Sequence, residues 1–131
     1  MKSYALALFI SAFLCGNAYG STDFTGVWSG KGTAKDTSGS DYPECTFRFE
    51  FEHTATEFKV TSGAYNCGFT REYSAFSLAI RGKDLFYGEE RVGTIENGRI
   101  HAFQYGSGLD TEYVLELGDN GLTYQEKITF S

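Results

Sequence analysis

Few side chains in this chain are of the kind that does chemistry, and none stands in a catalytic spacing. The candidates are two histidines (His53 and His101), three cysteines (Cys15, Cys45 and Cys67) and one carboxylate set among apolar residues, Glu126. A serine nucleophile would need a G-x-S-x-G elbow, a metalloprotease an H-E-x-x-H helix, and a nucleotide site a glycine-rich turn running into a helix. The chain has none of these. Structural zinc needs four clustered ligands, and there is no second cysteine pair and no close His–Cys spacing. The expectation is a protein that is not an enzyme and holds no metal or cofactor. Each histidine reads as a hydrogen-bonded structural residue. Glu50 and Glu52 fall on the wet side of a strand, and Glu89-Glu90 in a turn. Glu126 differs, because it shares a face with Leu122, Tyr124, Ile128 and Phe130. Burial there would raise its pKa, and a cation such as Arg48 or Lys127 beside it would make it structural.

Binding is the chemistry that the composition favours. Aromatic residues make up 17% of the chain and are spread along it. A small-molecule site is mainly apolar with a few polar groups. Period-two alternation points Phe47, Phe49, Phe51, Phe58, Tyr65, Phe103, Tyr105, Tyr113 and Tyr124 inward. The candidate ligand contacts are Trp28, Phe49, Phe51, Tyr65, His101, Phe103, Tyr105, Tyr113 and Tyr124, with tyrosine hydroxyls and His101 as the polar groups. The competing expectation is an interior filled by these same side chains. Trp28 is expected first as a plug and second as a ligand contact.

The elements that must position these residues are strands. From Cys45 to His53 the odd positions are Cys45, Phe47, Phe49, Phe51 and His53, and the even ones Thr46, Arg48, Glu50 and Glu52. Such alternation means one dry face and one wet face. Further short strands carry Phe58 and Val60; Tyr65, Cys67 and Phe69; Phe76, Leu78 and Ile80; Leu85; Ile100 to Tyr105; Tyr113, Leu115 and Leu117; and Leu122, Tyr124, Ile128 and Phe130. Tight turns join them, with Asn97-Gly98 the strongest hairpin signal. Lys35 to Glu44 reads as a polar loop over an entrance. No segment after the first twenty residues has a helical period of more than two turns. The fold class is all-β: a single up-and-down antiparallel barrel of about eight to ten short strands, with a sandwich as the alternative.

Residues 1–20 read as a signal peptide. Lys2 is followed by the apolar run Tyr4 to Leu14, and Ala18 and Gly20 are small residues before a cut at Ser21. Cys15 is expected to leave with it, and lipid anchoring there is the minor alternative. The domain would then be residues 21–131, located outside the cytoplasm, in a periplasm or secreted. Cys45 and Cys67 remain, and an even count in an exported chain predicts one disulfide. The formal charge of −6 makes nucleic acid a poor partner. No membrane span is expected, because the apolar run is too short for one. A basic protein is an electrostatically reasonable partner.

At the start of that domain, Gly26-Val27-Trp28 resembles the G-x-W opening of lipocalins and related calycins. The longer stretch Gly26-Val27-Trp28-Ser29-Gly30-Lys31-Gly32 is also similar to the start of nitrobindin-type barrels. The resemblance implies a ligand-holding barrel and a basic residue stacked on Trp28, for which Lys127 is the candidate. Its nitrobindin side implies a haem on one histidine, with neither His53 nor His101 singled out. The functional expectation is an exported barrel that binds a small apolar ligand. The alternative is a protein-binding module, such as an inhibitor of an exported hydrolase.

Overall fold

The computed structural model describes residues 7–15, 23–35, 40–106, 109–118 and 121–130. Among them are eleven strands and no helix. They are β1 (Ala7–Cys15), β2 (Gly26–Lys35), β3 (Asp41–His53), β4 (Glu57–Asn66), β5 (Thr70–Tyr73), β6 (Phe76–Arg81), β7 (Asp84–Tyr87), β8 (Glu90–Glu96), β9 (Arg99–Gly106), β10 (Leu109–Gly118) and β11 (Gly121–Phe130). No helix among the described residues is long and apolar enough to cross a membrane.

Every ladder is antiparallel, and apart from β5 and β6 strands consecutive in the chain are neighbours in the sheet. β5 and β6 do not pair with each other. They lie end to end along β4, β5 against Gly63–Asn66 and β6 against Glu57–Val60. The two form one stave bent at Ser74-Ala75, so the eleven strands make a ten-stave meander. The β3–β4 ladder links the two ends of the strand order, and the sheet curls round on itself. This is the up-and-down antiparallel architecture that the alternation predicted, with the Cys45–Cys67 disulfide in place.

Closure is complete at one level and parts at another. β9 pairs with β8 only as far as Ala102, leaving the Phe103–Gly106 end with β10 alone. β5 pairs with β4 alone. The outer edges of β5 and of the β9 end therefore flank an open stretch of wall.

The turns follow their sequences. Glu96 pairs with Arg99 across Asn97-Gly98, whose φ angles are 51° and 74°. These are the positive values that a type I′ turn requires at both central positions. At the other end of β3, Thr54 Oγ1 accepts the amides of Thr56 and Glu57 and shapes the turn into β4.

The segment Ala7–Cys15, expected as part of the leader, forms β1 between β2 and β11. Two sequence expectations need correction. The polar loop is shorter than Lys35–Glu44: β2 runs to Lys35 and β3 starts at Asp41, and residues 36–39 lie outside the described residues. In β9, Ile100 and Ala102 are the buried residues, at 2% and 8% exposure. Ala102 is paired with Gly93 on one side and Tyr113 on the other. His101, Phe103 and Tyr105 therefore project from the opposite, outer face, where Tyr105 is 66% exposed. A shift of one residue exchanges the faces of a strand. Because β9 is apolar on both faces, bulk was a poor guide to which one turns in.

The interior is mostly aromatic. Phe47, Phe49, Phe51 and Phe58 are buried with Trp28, Tyr65, Leu115, Leu122 and Tyr124. Phe49 pairs with Gly63, and Phe49 and Tyr124 lie 4.8 Å apart by ring centroids. Burying a Phe or Leu side chain contributes roughly 1.5–3 kcal/mol, so this aromatic layer is the main force holding the staves together.

Candidate functional site

The Phe24 and Trp28 region is sealed. Trp28 has no exposed surface, and its Nε1–H donates to the Phe24 carbonyl at 2.9 Å. Phe24 meets Phe58 edge-on. Its amide donates to His53 Nδ1 at 3.2 Å, and the Thr25 hydroxyl donates to the His53 carbonyl while accepting the His53 amide. Burial lowers the pKa of His53, against the pull of Asp23. Neutral His53 is thus a tie between the segment before β2 and the end of β3. Lys127 does not stack on Trp28. It is exposed, on the face of β11 opposite buried Glu126 and Ile128.

Beside this sealed region lies a cavity of about 870 Å³. Its apolar lining comes from Phe49 and Phe51 on β3, Phe58 and Val60 on β4, Leu78 on β6, Ile100 and Ala102 on β9, and Leu115 on β10. Residues from the free edges of β5 and β9 also border it, as do Ser74 to Phe76 and Tyr87. The cavity therefore reaches the surface through the open stretch of wall. Three exposed aromatics, Phe76, Tyr87 and Tyr105, stand around the mouth, with Glu90 and Arg91.

A polar cluster occupies the inner side. Arg71 and Tyr73, two apart on β5, point the same way, as strand alternation requires. Arg71 Nη1 donates to Glu126 Oε1 at 3.1 Å, and the Tyr73 hydroxyl donates to the same oxygen. The Tyr73 and Tyr124 hydroxyls are 3.3 Å apart. The Arg71 guanidinium lies over the Tyr73 ring at 4.7 Å, and the Tyr113 hydroxyl donates to Gln104 Oε1 at 3.0 Å. Arg71, Tyr73, Tyr113 and Tyr124 line the cavity, whereas Glu126 and Tyr65 lie behind them. The Tyr65 hydroxyl and Glu126 Oε2 are buried without a hydrogen-bond partner.

Electrostatics in the cluster follow from burial. Desolvation raises the pKa of Glu126, against the lowering effect of Arg71 and the tyrosine hydroxyls. Burial and the nearby Glu126 charge raise the phenols of Tyr65 and Tyr73 well above their ordinary range and push Tyr113 up to about 12. Tyr124 is raised by burial first and then by its neighbours Tyr73 and Glu126. The phenols are therefore protonated donors at neutral pH.

The residues singled out from the sequence divide into four groups. Phe49, Phe51, Tyr113 and Tyr124 line the cavity together. Trp28 and Tyr65 are buried but outside its lining. Phe103 and Tyr105 border the mouth from the outer-face row. His101 is on that outer face, 3.0 Å from Glu112 Oε2 and tilted against the Phe103 ring at 4.6 Å. The cation beside Glu126 is neither Arg48, which is exposed and reaches Ser62, nor Lys127. It is Arg71, which sequence reasoning missed together with Tyr73. A signal for both existed, because Arg71 and Tyr73 continue the odd-numbered face of Tyr65, Cys67 and Phe69. A lone inward carboxylate on one strand calls for an inward cation on another. Among the described residues, no group of three or more His, Cys, Asp or Glu side chains is arranged to hold a metal ion.

No family model, curated protein or solved structure matches this chain.

Proposed function

We propose that this chain is an exported, lipocalin-like carrier that binds a small, largely apolar molecule inside its barrel. The observation that carries this reading is the cavity of about 870 Å³ with an aromatic lining, a polar inner side and an open flank. Pockets for small ligands have this size and composition. The disulfide fits a compartment outside the cytoplasm.

The buried cluster serves binding better than catalysis. Glu126, the one acid in it, is shielded from the cavity by Arg71 and Tyr73. The tyrosines that face the cavity have raised pKa values and are poor bases at neutral pH. What remains on offer is the spare N–H groups of Arg71 and the hydroxyl oxygens of the tyrosines.

The test is native mass spectrometry of protein purified from its own host, with a fluorescence titration using N-phenyl-1-naphthylamine. A co-purified small molecule, or saturable binding at about one probe per chain, is the expected result. Absence of both would remove the proposal.

A further inference from the structure

We infer that the ligand is an uncharged molecule bearing a carbonyl-type oxygen acceptor, which seats on the Arg71 guanidinium. This rests on the carrier reading above and specifies what is carried.

On the polar side of the cavity the Tyr73 and Tyr113 protons are already given to Glu126 and Gln104, so the spare donors are those of Arg71. An arginine has five N–H groups. Arg71 spends one on Glu126, and the hydroxyls of Tyr65 and Tyr113 are its other near neighbours. At least two N–H groups are left, on a side chain that lines the cavity and is 26% exposed. The only carboxylate in the cluster has one oxygen taken by Arg71 and Tyr73, and its other oxygen is buried out of the cavity's reach. A ligand that seats on Arg71 must therefore bring an acceptor.

Charge decides which acceptor. Arg71 and Glu126 form an ion pair at 3.1 Å, and Glu126 has no exposed surface. A carboxylate on the ligand would place two anions about one cation in a site with little water. A neutral carbonyl takes the spare N–H groups and leaves the pair balanced. The tyrosines facing the site, Tyr73, Tyr113 and Tyr124, stay protonated and neutral, so none alters this balance. The remaining charged lining residues, Glu72, Glu90 and Arg91, are exposed at the mouth.

Three fluorescent probes of one ring system separate the cases: pyrene, 1-acetylpyrene and 1-pyrenecarboxylate, titrated into the full chain at neutral pH. The expected order is 1-acetylpyrene tightest, by about ten-fold over pyrene, as one hydrogen bond to a charged donor provides. The carboxylate should bind no better than pyrene. In the double variant Arg71→Leu/Glu126→Leu, which removes both charges together, the advantage of 1-acetylpyrene over pyrene should vanish. A carboxylate that binds tightest, or 1-acetylpyrene no better than pyrene on wild-type protein, overturns this inference and leaves the carrier reading standing. Failure of all three probes counts against both. The wild-type ranking alone decides the matter if the double variant does not fold.

Discussion

Arg71 and Glu126 are 55 positions apart in the chain and 3.1 Å apart in space. Their contact ties the short β5, which has no strand neighbour but β4, across the interior to β11. It is a structural clamp and the polar floor of the cavity at once.

Removing the cation alone should be costly. Arg71→Leu leaves Glu126 buried without its counter-charge, and breaking such pairs costs about 3 kcal/mol. Urea unfolding is expected to show that loss at neutral pH. The variant should recover as pH falls, because protonating Glu126, whose pKa is already raised by burial, removes the stranded charge. The double change Arg71→Leu/Glu126→Leu should regain most of the loss. A single variant as stable as wild type would mean that the pair does not hold β5.

Acid should loosen the sealed region through His53. Its folded pKa is depressed below the ordinary 6.5 by burial. The fold thus favours the neutral ring, whose Nδ1 accepts the Phe24 amide. That contribution is complete above the unfolded pKa and is lost as pH falls through the folded one. In His53→Asn, whose amide oxygen can take the place of Nδ1, the decline of stability below about pH 6.5 should be shallower. Equal slopes in urea midpoint against pH would exclude His53 as the source.

Two glycines should tolerate alanine unequally. At Gly93 an added Cβ would collide with the His101 carbonyl and stand 2.7 Å from the Ala102 Cα, both on the backbone of β9. Backbone cannot step aside, so Gly93→Ala should cost about 2 kcal/mol or more. At Gly63 the obstacle is the Phe49 ring, 2.7 Å from the built Cβ. A ring can turn, so Gly63→Ala should cost less stability but weaken probe binding, because Phe49 lines the cavity. Thermal melts with N-phenyl-1-naphthylamine titrations read both effects.

Cys45 and Cys67 join β3 to the end of β4 over a separation of 22 residues. On the chain-entropy account, the paired change Cys45→Ser/Cys67→Ser should lower stability by about 3 kcal/mol. Since the bridge lies outside the cavity lining, probe affinity should be retained at temperatures where the variant remains folded.

How far the sequence could be read depended on contrast between faces. In β3, charged Arg48 and Glu52 alternate with phenylalanines, and the inward set Phe47, Phe49 and Phe51 was plain. In β9, both faces are apolar, and the aromatic row was assigned to the wrong side. The Asn97-Gly98 hairpin was legible because φ > 0 restricts residue choice so strongly. The Arg71–Glu126 pair was half legible. Glu126 stood out on an apolar face, but naming its partner required knowing which strand lies across the barrel, and local patterning does not carry that information. The cavity was not legible either, because whether large side chains fill or merely line an interior depends on how the staves are spaced.

The place of β1 between β2 and β11 has a directional consequence. Antiparallel to both, it leaves β2 and β11 running the same way. A cut before Ser21 would turn an even set of staves into an odd one, and no antiparallel seam can rejoin those two strands. The mature wall would have to zip with the slanted hydrogen bonds of a parallel pair, or keep a slot the width of one extended peptide.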